Sequence, residues 1–281
     1  MKPDYSNWLV ASDIDGTLHS KLRTLPEINK RTIDRFMSCG GNFTLASGRP
    51  VRSLERAYRR VSPNCPAIIL NGSGIYDFNE HKLIWKNTVS AEGREFVKKM
   101  RKKYSHGLDR IEVGIFGLDK AYITDKGILS IGQVFLDDVP YIITDIDSVP
   151  DDDWFKVIFW GNPLTIKKLK ADAEGAKDIA NFMSSSPLTF EMLEKGVHKG
   201  TAVLKLAEIL GIDREYTAAI GDYYNDWDML KSVGFPACAG QAPKPIHNIC
   251  KYVACHCNKG CVADLLRVIM IQNSSTVDIQ S

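Results

Sequence analysis

Short unbroken apolar runs, each stopped by polar or glycine-rich residues, alternate along this chain with longer stretches whose apolar residues recur at helical spacing. Leu9-Val10-Ala11 is one such run and reads as a strand buried on both faces. Leu25-Pro26-Glu27 then opens a helix with Pro and Glu in its first turn. Ile28, Ile33, Phe36 and Met37 supply its apolar face, and Gly40-Gly41 ends it. Residues 42–46 are a second buried strand and residues 67–70 a third. Residues 75–78 and 82–85, separated by Asn79-Glu80-His81, predict an exposed hairpin. The same alternation returns at residues 199–210, a helix closed by Gly211, and at residues 216–220, another buried strand.

Between these two regions the texture changes. Residues 90–104 predict a charged amphipathic helix with Phe96, Val97 and Met100 inside. Residues 111–116 and 121–124 alternate as half-exposed strands do, and the acidic stretch 145–153 reads as a solvated loop. A strand over 154–160, a Lys-rich helix over 164–177 and a strand over 188–193 follow. The fold class expected is α/β, a doubly wound, mostly parallel sheet carrying an inserted, smaller α+β domain. The expected division is core 1–86, insertion 87–188 and core again 189–281.

Composition narrows the function classes. With 44% hydrophobic and 25% charged residues the chain has the make-up of a globular protein, and its 281 residues suit two domains. A net charge of +2 gives no electrostatic case for nucleic acid or an acidic membrane surface. No apolar run approaches a membrane span, and residues 1–7 lack the apolar core of a signal peptide, so a cytoplasmic protein is expected. The expected partner is a small molecule, with the chain a monomer or weak homo-oligomer. Seven cysteines without an export signal point to reduced thiols. Four of them crowd 250–261 beside His247 and His256, but the spacing Cys-x4-Cys-x-Cys-x3-Cys lacks the paired knuckles of a structural zinc site. Small buried or surface thiols weigh against zinc there.

Three strand ends carry the candidate chemistry. The first run stops at Asp13-Ile14-Asp15-Gly16-Thr17, the second at Ser47-Gly48-Arg49-Pro50, and the strand over 216–220 at Gly221-Asp222-Tyr223-Tyr224-Asn225-Asp226. Alone, the first is either an ordinary turn or a pair of carboxylates suited to nucleophilic and proton-transfer work beside a hard cation. Ser47-Gly48 is either an N-cap or an anion cradle. Lys199, alone, is a surface lysine. Together they converge, because a doubly wound sheet gathers its strand ends into one crevice.

Asp-Ile-Asp-Gly-Thr (13–17), Ala-Ser-Gly-Arg (46–49), Gly-Val-His-Lys-Gly (196–200) and the 221–230 segment resemble, in order and spacing, the four motifs of the haloacid-dehalogenase-like superfamily. The insertion and the tail segment 258–263 resemble those of its Cof-type phosphatases. The resemblance implies a Rossmann-like core with a large cap, and a phosphatase acting on small phosphorylated metabolites such as sugar phosphates. It implies Asp13 as the nucleophile that forms an aspartyl-phosphate and Asp15 as general acid and then base. Mg2+ would be held by Asp13, the backbone carbonyl of Asp15, and Asp222. Ser47, Lys199 and Asn225 would hold phosphate oxygens with backbone N–H groups of Ile14 and Gly48, while Asp226 would orient neighbours. A nearby anionic pair would favour the protonated form of Asp15 that the leaving group needs.

A sugar phosphomutase of the same superfamily and a non-catalytic phosphate-binding module are the alternatives. Asn71, Ser73, Arg49 and polar groups of the 111–131 and 154–193 strands are candidate substrate contacts. Four positions depart from the pattern. Tyr223 and Tyr224 either narrow the pocket, stack on substrate or pack on the following helix. His198 reads as a bystander, and Gln241 stands where the superfamily often has Asn.

Overall fold

Val10 faces one side of a parallel sheet while Leu9 and Ala11 face the other, as period-two alternation requires, and both sides are covered by helices. The computed structural model describes residues 3–277. Met1, Lys2 and residues 278–281, at the outer ends of the expected core segments, lie outside the described residues. The chain runs β1 (Leu9–Ser12), α1 (Glu27–Ser38), β2 (Asn42–Leu45), α2 (Val51–Val61), β3 (Ala67–Ile69), β4 (Gly74–Asp77) and β5 (Lys82–Lys86). Then come α3 (Ala91–Lys103), β6 (Glu112–Phe116), β7 (Ala121–Ile123), α4 (Ile128–Leu136), β8 (Tyr141–Ile143) and β9 (Lys156–Trp160). These are followed by α5 (Pro163–Ala173), β10 (Ala180–Ser186) and β11 (Thr189–Glu194). The chain closes with α6 (Lys199–Leu210), β12 (Thr217–Gly221), α7 (Trp227–Ser232), β13 (Phe235–Cys238), α8 (Lys244–His247), β14 (Tyr252–Val253) and α9 (Cys261–Val277).

The core sheet has the order β14-β13-β12-β1-β2, parallel throughout. Residues of α1 and α9 pack with Val10 on one face, and residues of α6 and α7 pack with Leu9 and Ala11 on the other. This is the doubly wound arrangement. β3 touches the sheet through one parallel bridge, Ala46 to Ile68, and leads into the antiparallel β3-β4-β5 ribbon that contains the expected hairpin.

The inserted sheet has the order β10-β11-β9-β6-β7-β8. Three expectations change here. β11 pairs antiparallel with both β9 and β10, so the chain leaves the insertion after Glu194 rather than at residue 189. β6 and β7 are buried rather than half-exposed, because Val113, Ile115 and Tyr122 pack in a cluster with residues of α3 and α5. Phe116, Ala121 and Ile123 pack in the cluster that holds Val134 of α4. The acidic stretch is not wholly solvated, since Ile146 and Val149 tuck into the same core as Val113.

Helix α1 also departs from its expected face. Ile28 is 37% exposed, while Asn29 beside it is wholly buried. Asn29 earns that place through hydrogen bonds: its Nδ2 donates to the Leu18 carbonyl at 2.9 Å and its Oδ1 accepts from the Ala263 N–H at 2.9 Å. It thereby ties the turn after β1 to the start of α9. Removing it strands a buried carbonyl and a buried N–H, and each orphan costs on the order of 1–3 kcal/mol. Asn29→Ala is expected to lower unfolding stability by about 2–4 kcal/mol in denaturant titration; a loss below about 1 kcal/mol would show that the bridge is dispensable.

Candidate active site

The carboxyl ends of β1, β2 and β12 meet around a cleft of about 510 Å³, and the first turn of α6 reaches Asp13 from beneath it through Lys199. Asp13 leaves β1 in extended conformation, and its N–H still donates to Ile220 of β12 at 3.0 Å. The chain then turns through Gly16, whose φ of 81° is left-handed. A Cβ at that position would lie 2.3 Å from Asp222 Oδ2. Glycine is required there twice over, for the backbone angle and for the approach of the Asp222 carboxylate.

Lys199 is the hub. Its side chain is 1% exposed, and its ammonium donates to Asp13 Oδ1 at 2.6 Å and to Asp226 Oδ1 at 2.7 Å. Asp226 Oδ2 in turn accepts the Asp222 N–H at 3.1 Å. Lys199 reaches this depth because His198 caps α6: its Nδ1 accepts the Thr201 N–H while Thr201 Oγ1 accepts the His198 N–H, a reciprocal capping box. His198 is therefore a helix cap rather than a bystander. The loop before β4 seats the same turn. Leu70, Asn71 and Gly72 follow one another in left-handed conformation (φ 48°, 59° and 101°), and a Cβ on Gly72 would lie 2.3 Å from the His198 carbonyl oxygen.

Asp13, Asp222 and Asp226 each offer an oxygen within 4.8 Å of the others, the one group among the described residues close enough to share an ion. Lys199 and the Asp222 N–H occupy the two Asp226 oxygens. That leaves Asp13 and Asp222 to face a cation, with hard oxygen donors of the kind Mg2+ prefers. The electrostatics fit the same ion. Burial pushes Asp13 up to about 8, helped by the Asp226 charge and opposed by Lys199. Burial and Asp226 likewise push Asp222 up to about 6. Burial alone would lower Lys199, but the two carboxylates on its ammonium hold it above its ordinary value.

The remaining expected residues fall as follows. Ser47 is buried at the end of β2, its Oγ accepting the Arg49 N–H at 3.2 Å, and both Ser47 and Gly48 line the cleft with Asn225. Ile14 buries its side chain in the core, so only its backbone is left for a ligand. Lys199 is not among the residues lining the cleft; it holds carboxylates rather than opening directly onto the mouth. Asp15 lines the cleft half-exposed, clasped by Arg49 through Nη2 and Nε at 2.7 Å and 3.1 Å. Its immediate partner is a cation, not the anionic pair expected from the sequence.

Tyr223 lines the cleft, and its ring meets that of Tyr224 edge-on with centroids 5.1 Å apart. Gln241, where the superfamily often has Asn, ties two turns together, donating to the Gly16 carbonyl at 2.6 Å and accepting the Cys257 N–H at 3.0 Å. Cys257 and Cys261 are buried nearby, Cys261 against the Thr17 carbonyl.

Among the polar groups of the 154–193 strands, which the sequence could not rank, two line the cleft and join the insertion to the core. The Lys156 ammonium donates to the Gly48 carbonyl at 3.0 Å and lies 3.4 Å from the Glu191 carboxylate, which also accepts from Asn71 Nδ2 at 3.0 Å. A lysine or glutamate inside a buried strand was the only available signal.

A model of the haloacid dehalogenase-like hydrolases matches residues 10–266. An HMP-PP phosphatase of Escherichia fergusonii is 29% identical over 236 residues, 83% of this chain and 84% of that protein. A haloacid dehalogenase-like hydrolase from Bacteroides thetaiotaomicron superposes with a TM-score of 0.80 at 20% identity, covering 93% of this chain and 99% of that one. A subclass IIB sugar phosphatase superposes with a TM-score of 0.77 at 17% identity, covering 93% and 98%. At these identities the two structures speak for the fold alone.

The raised carboxylates give a signed pH dependence. Unfolded, Asp13 and Asp222 ionise near 3.8; folded, near about 8 and about 6. Between those values the folded state binds more protons, so the metal-free protein loses stability as pH rises through that window. A divalent cation needs the ionised forms, so its stabilisation grows over the same range. Thermal unfolding at about pH 5 and about pH 8 should show the Mg2+-induced rise in melting temperature mainly at the higher pH. A response equal at both would refute the carboxylate site.

Proposed function

The chain belongs to the haloacid dehalogenase-like hydrolases and is a phosphatase of that family, and on that premise we propose that it hydrolyses monoesters of small phosphorylated metabolites through an aspartyl-phosphate on Asp13, with Mg2+ as cofactor. The observation that carries the reading is Asp13 itself: a buried carboxylate facing the cleft, with one oxygen fixed by Lys199 and the other left to react. Asp13 Oδ2 attacks phosphorus, and the bond to the leaving alkoxide breaks in line with it. Asp15 gives that alkoxide its proton. Asp15 then takes a proton from the water that attacks the aspartyl-phosphate, which returns Asp13 and releases inorganic phosphate.

Arg49 holds the Asp15 carboxyl in a fixed direction at the rim. Ser47 and Asn225, with the Gly48 N–H, would donate to the other phosphoryl oxygens, a role supported by their lining the cleft. Asp13, Asp222 and the Asp15 carbonyl would hold the Mg2+, which supplies positive charge where one anion must approach another. The inserted domain walls off the cleft from above through Phe116, Lys156 and Glu191, which supports exclusion of water from the first step. The HMP-PP phosphatase among the relatives is named for a small phosphorylated compound, which supports a substrate of that size.

Asp13→Asn keeps the shape of the side chain and removes the nucleophile. It is expected to cut kcat for an aryl phosphate by about 10³-fold or more. Because it also removes a carboxylate whose charge burial opposes, it should not lower the melting temperature of the metal-free protein. Turnover close to wild type in a folded Asp13→Asn protein would falsify the nucleophile assignment.

A further inference from the structure

Beside the catalytic cleft lies a second recess of about 300 Å³, lined by His19, Arg23, Arg49, Arg52, Arg56 and Arg60. Arg52, Arg56 and Arg60 stand four residues apart on α2 and so share one face of that helix. Arg23 projects from the turn that precedes α1, and residues 136–138 at the end of α4 form the opposite wall. Among the described residues Arg23, Arg52, Arg56 and Arg60 form no ion pair, whereas Arg59 on the same helix is matched by Glu55. Four guanidiniums are thus gathered in a concave space where none is ion-paired and more positive than negative groups face one another, an arrangement that favours an anion.

Two observations point to a ligand rather than to a solvated charged face. His19 is 8% exposed, and its Nε2 is buried with no hydrogen-bond partner, so a polar atom at the recess is left unsatisfied by the protein. Burial chiefly holds its imidazole below the usual histidine range; the Asp15 charge opposes this, and Arg49 and Arg60 add to it. The second observation is continuity. Arg23, Arg49 and Asp137 line both this recess and the cleft above Asp13, and Arg49 is the residue that clasps Asp15. Asp137 and Asp138 on the opposite wall are the only carboxylates lining the recess, and Asp137 is engaged by Gln133 of its own helix at 2.7 Å.

We propose that this recess is a second anion subsite, and that the substrate class is a small metabolite carrying a further phosphate or carboxylate besides the phosphate that is cleaved. Guanidiniums suit this task because each offers paired donors to a phosphate or carboxylate. At about 300 Å³ and continuous with the catalytic cleft, the recess has the size for one further anionic group on the same small molecule. With the cleaved phosphate over Asp13, the second anion reaches past Arg49 toward Arg56 and Arg60. The proposal rests on the phosphatase reading and narrows its substrate.

The test compares fructose 1,6-bisphosphate with fructose 6-phosphate as competitive inhibitors of aryl phosphate hydrolysis, and titrates both into the protein by calorimetry. The wild type should bind the bisphosphate at least about tenfold more tightly than the monophosphate. In Arg56→Gln/Arg60→Gln the ratio of the two affinities should fall toward one, and Arg56→Lys/Arg60→Lys should retain part of it. A wild type that binds both equally overturns the subsite. So does a Gln variant that weakens both by the same factor, since that is the signature of a long-range field. A wild type that hydrolyses no aryl phosphate would overturn the phosphatase reading, while calorimetry would still decide the recess.

Discussion

The buried ammonium of Lys199 between Asp13 and Asp226 is the contact on which the rest of the site depends. Three carboxylates converge at this point, and without a cation among them mutual repulsion and lost hydration would force them apart or protonate them. Lys199 neutralises part of that charge and in doing so joins three distant pieces of chain: the end of β1, the start of α6 and the turn after β12. It does not neutralise all of it. The remainder appears in the raised Asp13 and Asp222, and this deficit is what gives a divalent ion a reason to bind. An ion pair so buried adds little net stability relative to an apolar core, so its value lies in fixing where each oxygen points.

Small residues make the convergence possible. Gly16 admits the Asp222 carboxylate against the β1 turn, and Gly72 admits the His198 carbonyl against the loop after β3. The backbone pays for this in the run of left-handed residues at Leu70, Asn71 and Gly72. In return Asn71 is aimed across the cleft at Glu191 of the inserted sheet.

What was legible in the sequence follows from the range of the forces involved. The strand ends, the helix from Lys199 and the convergence of Asp13, Asp222, Asp226 and Lys199 could be read because short apolar runs and their stop signals are local. The partner of Asp15 could not, since Arg49 reaches it only once β1 and β2 lie side by side. The assignment of residues 189–194 to the core failed for a similar reason: an apolar strand carries no mark of which sheet it will join, and β11 was claimed by β9 and β10. Ile28 and Asn29 exchanged places because hydrogen bonds to Leu18 and Ala263 outweigh the apolar face that periodicity suggests. Arg52, Arg56 and Arg60 drew no reading from the sequence, because four-residue spacing alone does not say that a helix face lies beside the mouth of a cleft.

The way the inserted domain meets the core bears on how substrate enters. Part of the seam above the cleft is polar: Lys156 to the Gly48 carbonyl and to Glu191, Asn71 to Glu191, and Ser73 Oγ to the Phe155 carbonyl at 2.7 Å. A seam of this kind can separate into water at modest cost, because each group regains hydration when it parts, whereas an apolar seam would be penalised in proportion to its exposed area. The same groups are costly to leave dry and unpaired when the domains close. In this structure they meet that cost by pairing across the seam, so a ligand in the cleft gains from Lys156, Glu191 and Asn71 only what exceeds the bonds it displaces. Recognition thus draws on the same side chains that join the two domains above Asp13.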